Sequence, residues 1–231
     1  MSRNFFATGF LALVLGAISS SRFPAACSTV AQNQQQTPSA AAIDVTQTIG
    51  QDSTQHGVMN YSISMELGPA DAEFDRRFLD AMTPHHQGAV AMAKQAQQKS
   101  KRPEIQKLAA EIIKDQDKEI NQMKQWRQAW YLKASTEPIA YNAQMGHSMP
   151  MSQEQIKGMM MNMDLGAADS QFDLRFLNAM IPHHEGAVVM AQDALEKSKR
   201  PQIKKLAQEI IASQQAEIKQ MKQWKQAWYK Q

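Results

Sequence analysis

The chain has 231 residues, enough for one medium domain or two small ones. Its 25 Lys and Arg nearly balance 22 Asp and Glu, and no basic patch is interleaved with aromatics, so composition points away from a nucleic-acid partner. A single cysteine excludes an internal disulfide, and stability must come from a packed core.

Residues 1–28 have the layout of a secretory signal peptide. Arg3 gives a positive start, Phe5 to Ile18 is almost wholly apolar, and small residues follow from Ser19 to Ser28. The apolar run is too short for a comfortable membrane span. This predicts export to the periplasm and no span in the mature chain. Cys27 offers a lipid-anchoring alternative, disfavoured because Pro24 stands where such signals usually carry Leu. Residues 29–55 are rich in Gln, Ser, Thr and Ala, lack periodicity, and read as a disordered polar leader.

The rest of the chain is a tandem duplication. Phe74-Asp75 recurs as Phe172-Asp173, His85-His86 as His183-His184, and Trp126 and Trp130 as Trp224 and Trp228, always 98 residues on. Leu67–Tyr131 aligns with Leu165–Tyr229 without a gap, and roughly two thirds of the positions are identical. Residues 56–135 form the first repeat, 136–163 a connector, and 164–231 the second repeat.

Each repeat reads as a helical hairpin. Asp71, and Asp169 in the second copy, are placed to cap a first helix. Phe78, Met82, His85, Ala89, Met92 and Ala96 follow at steps of three and four, one helical face. Pro84 is expected to kink that helix. Ser100-Lys101-Arg102-Pro103 is the turn, with Pro103 opening the second helix. Ile105, Leu108, Ile112, Gln116, Ile120, Met123, Trp126 and Trp130 form the facing stripe. One hairpin cannot bury its stripe alone, so the predicted fold class is all-α: a ferritin-like four-helix bundle of two hairpins with pseudo-twofold symmetry. The connector, with Pro138 and Pro150, is expected to be irregular, and no strand is predicted.

Methionine is the compositional anomaly, with 16 Met against 12 Leu. In the first repeat Met82, His85, His86 and Met92 share one helix, and Met123 lies on the facing one. The second copy is Met180, His183, His184, Met190 and Met221. Imidazole suits copper and zinc, and thioether selects soft ions such as Cu(I) and Ag(I). Adjacent histidines point about 100° apart on a helix, so one of each pair is expected to face inward. On spacing alone these Met are equally well ordinary core and the inward His a satisfied core histidine.

The connector is harder to explain as core. Met145, His147, Met149 and Met151 surround Gly146 and Pro150, and Met159, Met160, Met161 and Met163 follow. An irregular segment has no core to fill, and exposed apolar side chains carry a liability. Thioethers survive an oxidising compartment where thiols do not. Metal ligation is the expectation here, with a weaker echo at His56 and Met59. There is no Glu-x-x-His, no His-Glu-x-x-His and no Cys pair, so carboxylate di-iron, zinc-hydrolase and zinc-finger readings fail.

Phe74-Asp75, Phe78-Leu79-Asp80-Ala81-Met82, His85-His86-x-Gly88-Ala89-x-x-Met92-Ala93 and Leu108-Ala109-x-x-Ile112-Ile113-x-x-Gln116-x-x-Glu119-Ile120-x-x-Met123-x-x-Trp126 resemble a bacterial family of ferritin-like helical domains long labelled as of unknown function. The two-copy arrangement with a Met/His-rich connector is similar to periplasmic copper-binding members of that family. The resemblance implies a bundle that binds Cu(I), Cu(II) and Ag(I), with silver as surrogate, contributes to copper resistance, and is not an enzyme. It favours ligation by the His pairs. Soft metal ions are the expected partners, with a periplasmic metal sensor or efflux component as a further one. A copper-dependent redox enzyme and a helical interaction module with a Met-rich docking surface are the competing readings.

Overall fold

The computed structural model describes residues 65–231. The expected signal peptide and polar leader, with Cys27, and His56 and Met59 lie outside the described residues. Among those described, the order is α1 (Phe74–Lys99), α2 (Pro103–Trp130), β1 (Ile139–Asn142), β2 (His147–Pro150), α3 (Gln153–Met160), α4 (Phe172–Lys197) and α5 (Pro201–Tyr229). The long helices α1, α2, α4 and α5 form the expected bundle. None is long and apolar enough to cross a membrane.

Pro103 and Pro201 open α2 and α5 in the first turn, where the missing N–H has no helical partner to lose. Asp71 and Asp169 do not cap. Helix α1 starts later, after Glu73, and Asp71 Oδ1 accepts from the Glu73 N–H at 2.9 Å, as Asp169 does from Gln171. The carboxylate of Asp71 also pairs with Arg77, which donates to the carbonyls of Leu67 and Pro69 and ties down the loop entering α1. Arg175 repeats this at Leu165 and Ala167. Helix α1 continues unbroken through Pro84, and α4 through Pro182.

The core divides into two halves that exchange partners between repeats. In one, Phe74, Phe78, Leu79 and Met82 from the start of α1 meet Met190, Ala191 and Ala194 from the end of α4. In the other, Met92, Ala93 and Ala96 from the end of α1 meet Phe172, Phe176 and Met180 from the start of α4. The two first helices therefore cross antiparallel. Two ion pairs clamp the poles: Arg102 to Asp173 at 3.3 Å and Arg200 to Asp75 at 3.2 Å. Each guanidinium also lies over an indole, Arg102 over Trp228 and Arg200 over Trp130. Trp130 in turn stacks on Trp126, centroids 5.2 Å apart.

The connector departs from expectation. It is ordered into an antiparallel hairpin, with Asn142 opposite His147 and Ile139 opposite Pro150, followed by α3. Gly146, at φ 72°, supplies the left-handed turn residue that an L side chain adopts reluctantly. Ser152 and Gln155 form a reciprocal capping box that starts α3. The hairpin docks on the first repeat through a buried carboxylate. Asp80 accepts from Arg127 Nε at 2.7 Å and from the Ile139 N–H at 3.1 Å, while Arg76 and Arg127 donate to the Ser135 carbonyl. At the matching positions the second repeat has Leu174, Asn178 and Lys225, which offer no such triad.

Candidate metal centre

His85, His86, His183 and His184 all lie at the middle of the bundle, and all four are buried. The expectation of one inward histidine per pair is therefore corrected. The 100° divergence is real, but both directions are interior. His85 and His183 point across to the opposite repeat, and His86 and His184 to the second helix of their own hairpin.

His86 Nε2 lies 2.7 Å from Glu119 Oε2 on α2, and His184 Nε2 lies 2.7 Å from Glu217 Oε2 on α5. A carboxylate oxygen accepts, so Nε2 of each ring donates to it and Nδ1 faces away from it. Both Nδ1 atoms are buried and have no hydrogen-bond partner among the described residues. A buried acceptor without a partner is costly in a folded core. A carboxylate on one ring nitrogen, with the other nitrogen unpartnered, is the arrangement in which an orienting group holds a metal-ligating histidine.

The rings of His85 and His183 touch, centroids 3.9 Å apart. His183 Nε2 donates to the Met160 carbonyl at 3.0 Å, where α3 ends. Its Nδ1 and both nitrogens of His85 are buried without a partner among the described residues. Burial, and then the neighbouring His183, His86 and His184, hold His85 well below the ordinary imidazole range. Burial, followed by His184, lowers His183 to about 3. Both rings are neutral near pH 7, with lone pairs available.

Six core methionines of the four long helices have no exposed surface: Met82, Met92, Met123, Met180, Met190 and Met221. They do not group as the linear sequence implied. Met82 and Met123 share a core half with Met190, whereas Met92 falls with Met180 and Met221. Met82 and Met92 are ten residues apart on one helix, about 15 Å along its axis, so they pack in opposite halves of the core. Among the described residues, no three His, Cys, Asp or Glu side chains converge as a metal cage. The other soft donors buried in the core include the thioethers of these six methionines.

The connector residues separate by environment. Met145 is 60% exposed and Met163 52%. His147 and Met149 are exposed on the outer face of β2, while Ser148 between them turns inward to accept from Arg77. Met160 and Met161 are half-buried. Met151 and Met159 are buried in the first core half, which corrects the expectation that nothing packs against them. The hairpin and α3 fold back on α1, so these two thioethers fill space beneath them. Sequence reasoning also passed over Glu119 and Glu217 as histidine partners. The available signal was a carboxylate 33 residues after the second His, repeated in both copies.

A sequence family described as "Domain of unknown function (DUF305)" matches residues 26–127 and 75–225. Among solved structures, CopM in the Cu(II)-bound form is 46% identical, with a TM-score of 0.54 over 67% of this chain and 97% of that chain. CopM in the Cu(I)-bound form is 42% identical over the same shares, TM-score 0.52. A DUF305 fragment from Deinococcus radiodurans is 27% identical over 67% of this chain and 96% of that chain, TM-score 0.51. Uncharacterized protein L153 of Acanthamoeba polyphaga mimivirus is 49% identical over 49 residues, 21% of this chain. The chain spans about a third, 32%, of the length of that curated relative.

Proposed function

Since the chain belongs to the DUF305 family, we propose that it is a periplasmic protein that binds copper and silver ions through His and Met side chains, sequestering or delivering them and contributing to copper resistance. The observation that carries this reading is the pair of buried Nδ1 atoms on His86 and His184, without a partner among the described residues, each ring held by a carboxylate in a core rich in buried thioethers. The Cu(I)-, Cu(II)- and Ag-bound forms of the similar CopM support it. The periplasmic setting rests on the signal-like N-terminus.

The chemistry follows from the donor set. A thioether and the lone pair of a neutral imidazole bind a metal ion without losing a proton. Sulfur favours soft monovalent ions over hard ones. Glu119 and Glu217 fix the orientation of the rings through Nε2. Burial excludes water, which suits storage rather than turnover. His147, Met149 and Met145 form a second, exposed donor group on the hairpin, suited to rapid exchange.

Equilibrium dialysis of the full chain against Cu(I), with Ag(I) as redox-inert proxy, tests the reading. More than one ion retained per chain is expected, with capacity falling in a His86→Ala, His184→Ala double variant. Retention of zero or one ion overturns it. Oxidase activity of the loaded protein would move the reading toward a redox enzyme.

A further inference from the structure

We infer that the segment 54–64, just ahead of the described residues, docks on α4 as α3 docks on α1, with the Ser62 carbonyl accepting from His85 Nε2.

The two repeats differ in what covers them. Helix α3 lies along α1, whereas among the described residues no helix or strand lies along α4 in the same way. Val189 of α4 is 53% exposed, a large apolar side chain turned to solvent. It borders a groove of about 570 Å³ between Met65–Pro69 and the end of α4. The polar atoms are unequal too. His183 Nε2 donates to the Met160 carbonyl, while Nε2 of His85 is buried without a partner among the described residues. Buried polar groups in native cores are nearly always partnered. At Gly88 a Cβ would fall on the Met160 carbonyl, and the matching position on α4 is again a buried glycine, Gly186.

The duplication names the occupant. Met65-Glu66-Leu67-Gly68 and Met163-Asp164-Leu165-Gly166 are 98 residues apart in the chain. Each run is held by the first helix of the other repeat: Lys197 donates to the Gly68 carbonyl at 2.9 Å, and Lys99 to the Gly166 carbonyl at 2.8 Å. The chain reaches Met163 from α3, whose end sits over Gly88. By the same symmetry it reaches Met65 from above Gly186, and Ser62 stands where Met160 does. Ile156, Met159 and Met161 pack in the first core half. Val58, Tyr61 and Ile63 take their places, apolar at each. Thr54 stands at Ser152, the N-cap of α3, and both types suit that position. Gly57 replaces Gln155, and Asn178 replaces the carboxylate of Asp80, so half of the capping box and the hairpin anchor are not repeated. Apolar burial and the His85 hydrogen bond hold the segment. The histidine crossing is then covered on both faces, each time by the residues that lead into a repeat.

The test is paramagnetic relaxation in the full chain, with a nitroxide on a Ser62→Cys variant in a Cys27→Ser background. The methyl signals of Val188 and Val189 on α4 should broaden more than those of Val90, which matches Val188 on α1. A further Tyr61→Asp substitution puts a charge into the docked face. It should abolish that broadening and shift the His85 ring signals, while the His183 signals stay as in the parent. Absence of preferential broadening on α4 overturns the inference. So does broadening passed from labelled chains to unlabelled, isotope-enriched ones in a mixture, which makes the occupant a second copy. His85 signals that do not respond to Tyr61→Asp overturn the hydrogen bond and the register that gives it.

Discussion

His85 and His183 meet at the crossing of the two repeats, ring centroids 3.9 Å apart and tilted by 45°. Two imidazoles in a dry core cannot both take protons cheaply, since each charged ring would lose its hydration and repel the other.

Acid should therefore unfold the apo protein through this pair. In the unfolded chain both rings titrate near pH 6.5, whereas folded His183 stays neutral down to about 3 and His85 is held well below the ordinary range. Between those limits the unfolded state binds more protons, so stability falls as pH falls, by up to about 1.4 kcal/mol per unit for each histidine. Thermal melts of chelator-treated protein from about pH 7 to about pH 4 should show a steadily falling Tm. A Tm that stays flat across that range contradicts the assignment.

Gly88 tests the seat of the connector helix. A Cβ there would fall on the Met160 carbonyl, the group that accepts from His183. In an exposed helix Gly→Ala gains about 0.5–1 kcal/mol. Here the collision with backbone costs about 1–3 kcal/mol and sets the sign. Gly88→Ala should lower stability in urea unfolding and shift the His183 ring signals. Unchanged or increased stability would show that α3 does not sit where described.

Asp80 anchors the hairpin to the first repeat. Burial outweighs its arginine partners and raises its pKa above the ordinary carboxylate value. Asp80→Asn leaves Arg76 and Arg127 facing a neutral amide. It should cost about 3 kcal/mol, the low end for a buried pair because Arg127 retains some exposure. Asn178→Ala, at the matching exposed position of the second repeat, should stay within about 0.5 kcal/mol. Equal effects at the two positions, measured by denaturant melts, would refute the docking role.

The connector methionines should divide into two classes. Met151→Ala truncates a buried side chain and should cost about 2 kcal/mol or more. Met145→Ala and Met149→Ala, on the exposed hairpin, should leave Tm almost unchanged and lower Ag(I) capacity. A large stability loss at Met145, or none at Met151, would reverse the assignment.

The duplication, the helical hairpins and their buried faces were legible in the residues because helical periodicity is local. Phe78, Met82, His85, Ala89, Met92 and Ala96 recur at helical steps, and all are buried. The same locality explains the errors. Neighbouring histidines were assigned one inward and one outward face, a judgement that holds for a helix with a single buried stripe. In a bundle, α1 contacts both α2 and α4, so both directions are interior.

Residue type and spacing thus decided which imidazole and thioether side chains each repeat carries, and that both repeats carry the same set. Only the tertiary structure decided how they are partnered. Glu119 reaches His86 across a hairpin turn, and Met190 shares a core half with Met82 of the other repeat because the repeats cross antiparallel. Met151 is core rather than surface because the connector folds back on α1. Each of these depends on contacts between residues far apart in the chain, and periodicity carries no information about which distant face a helix will meet.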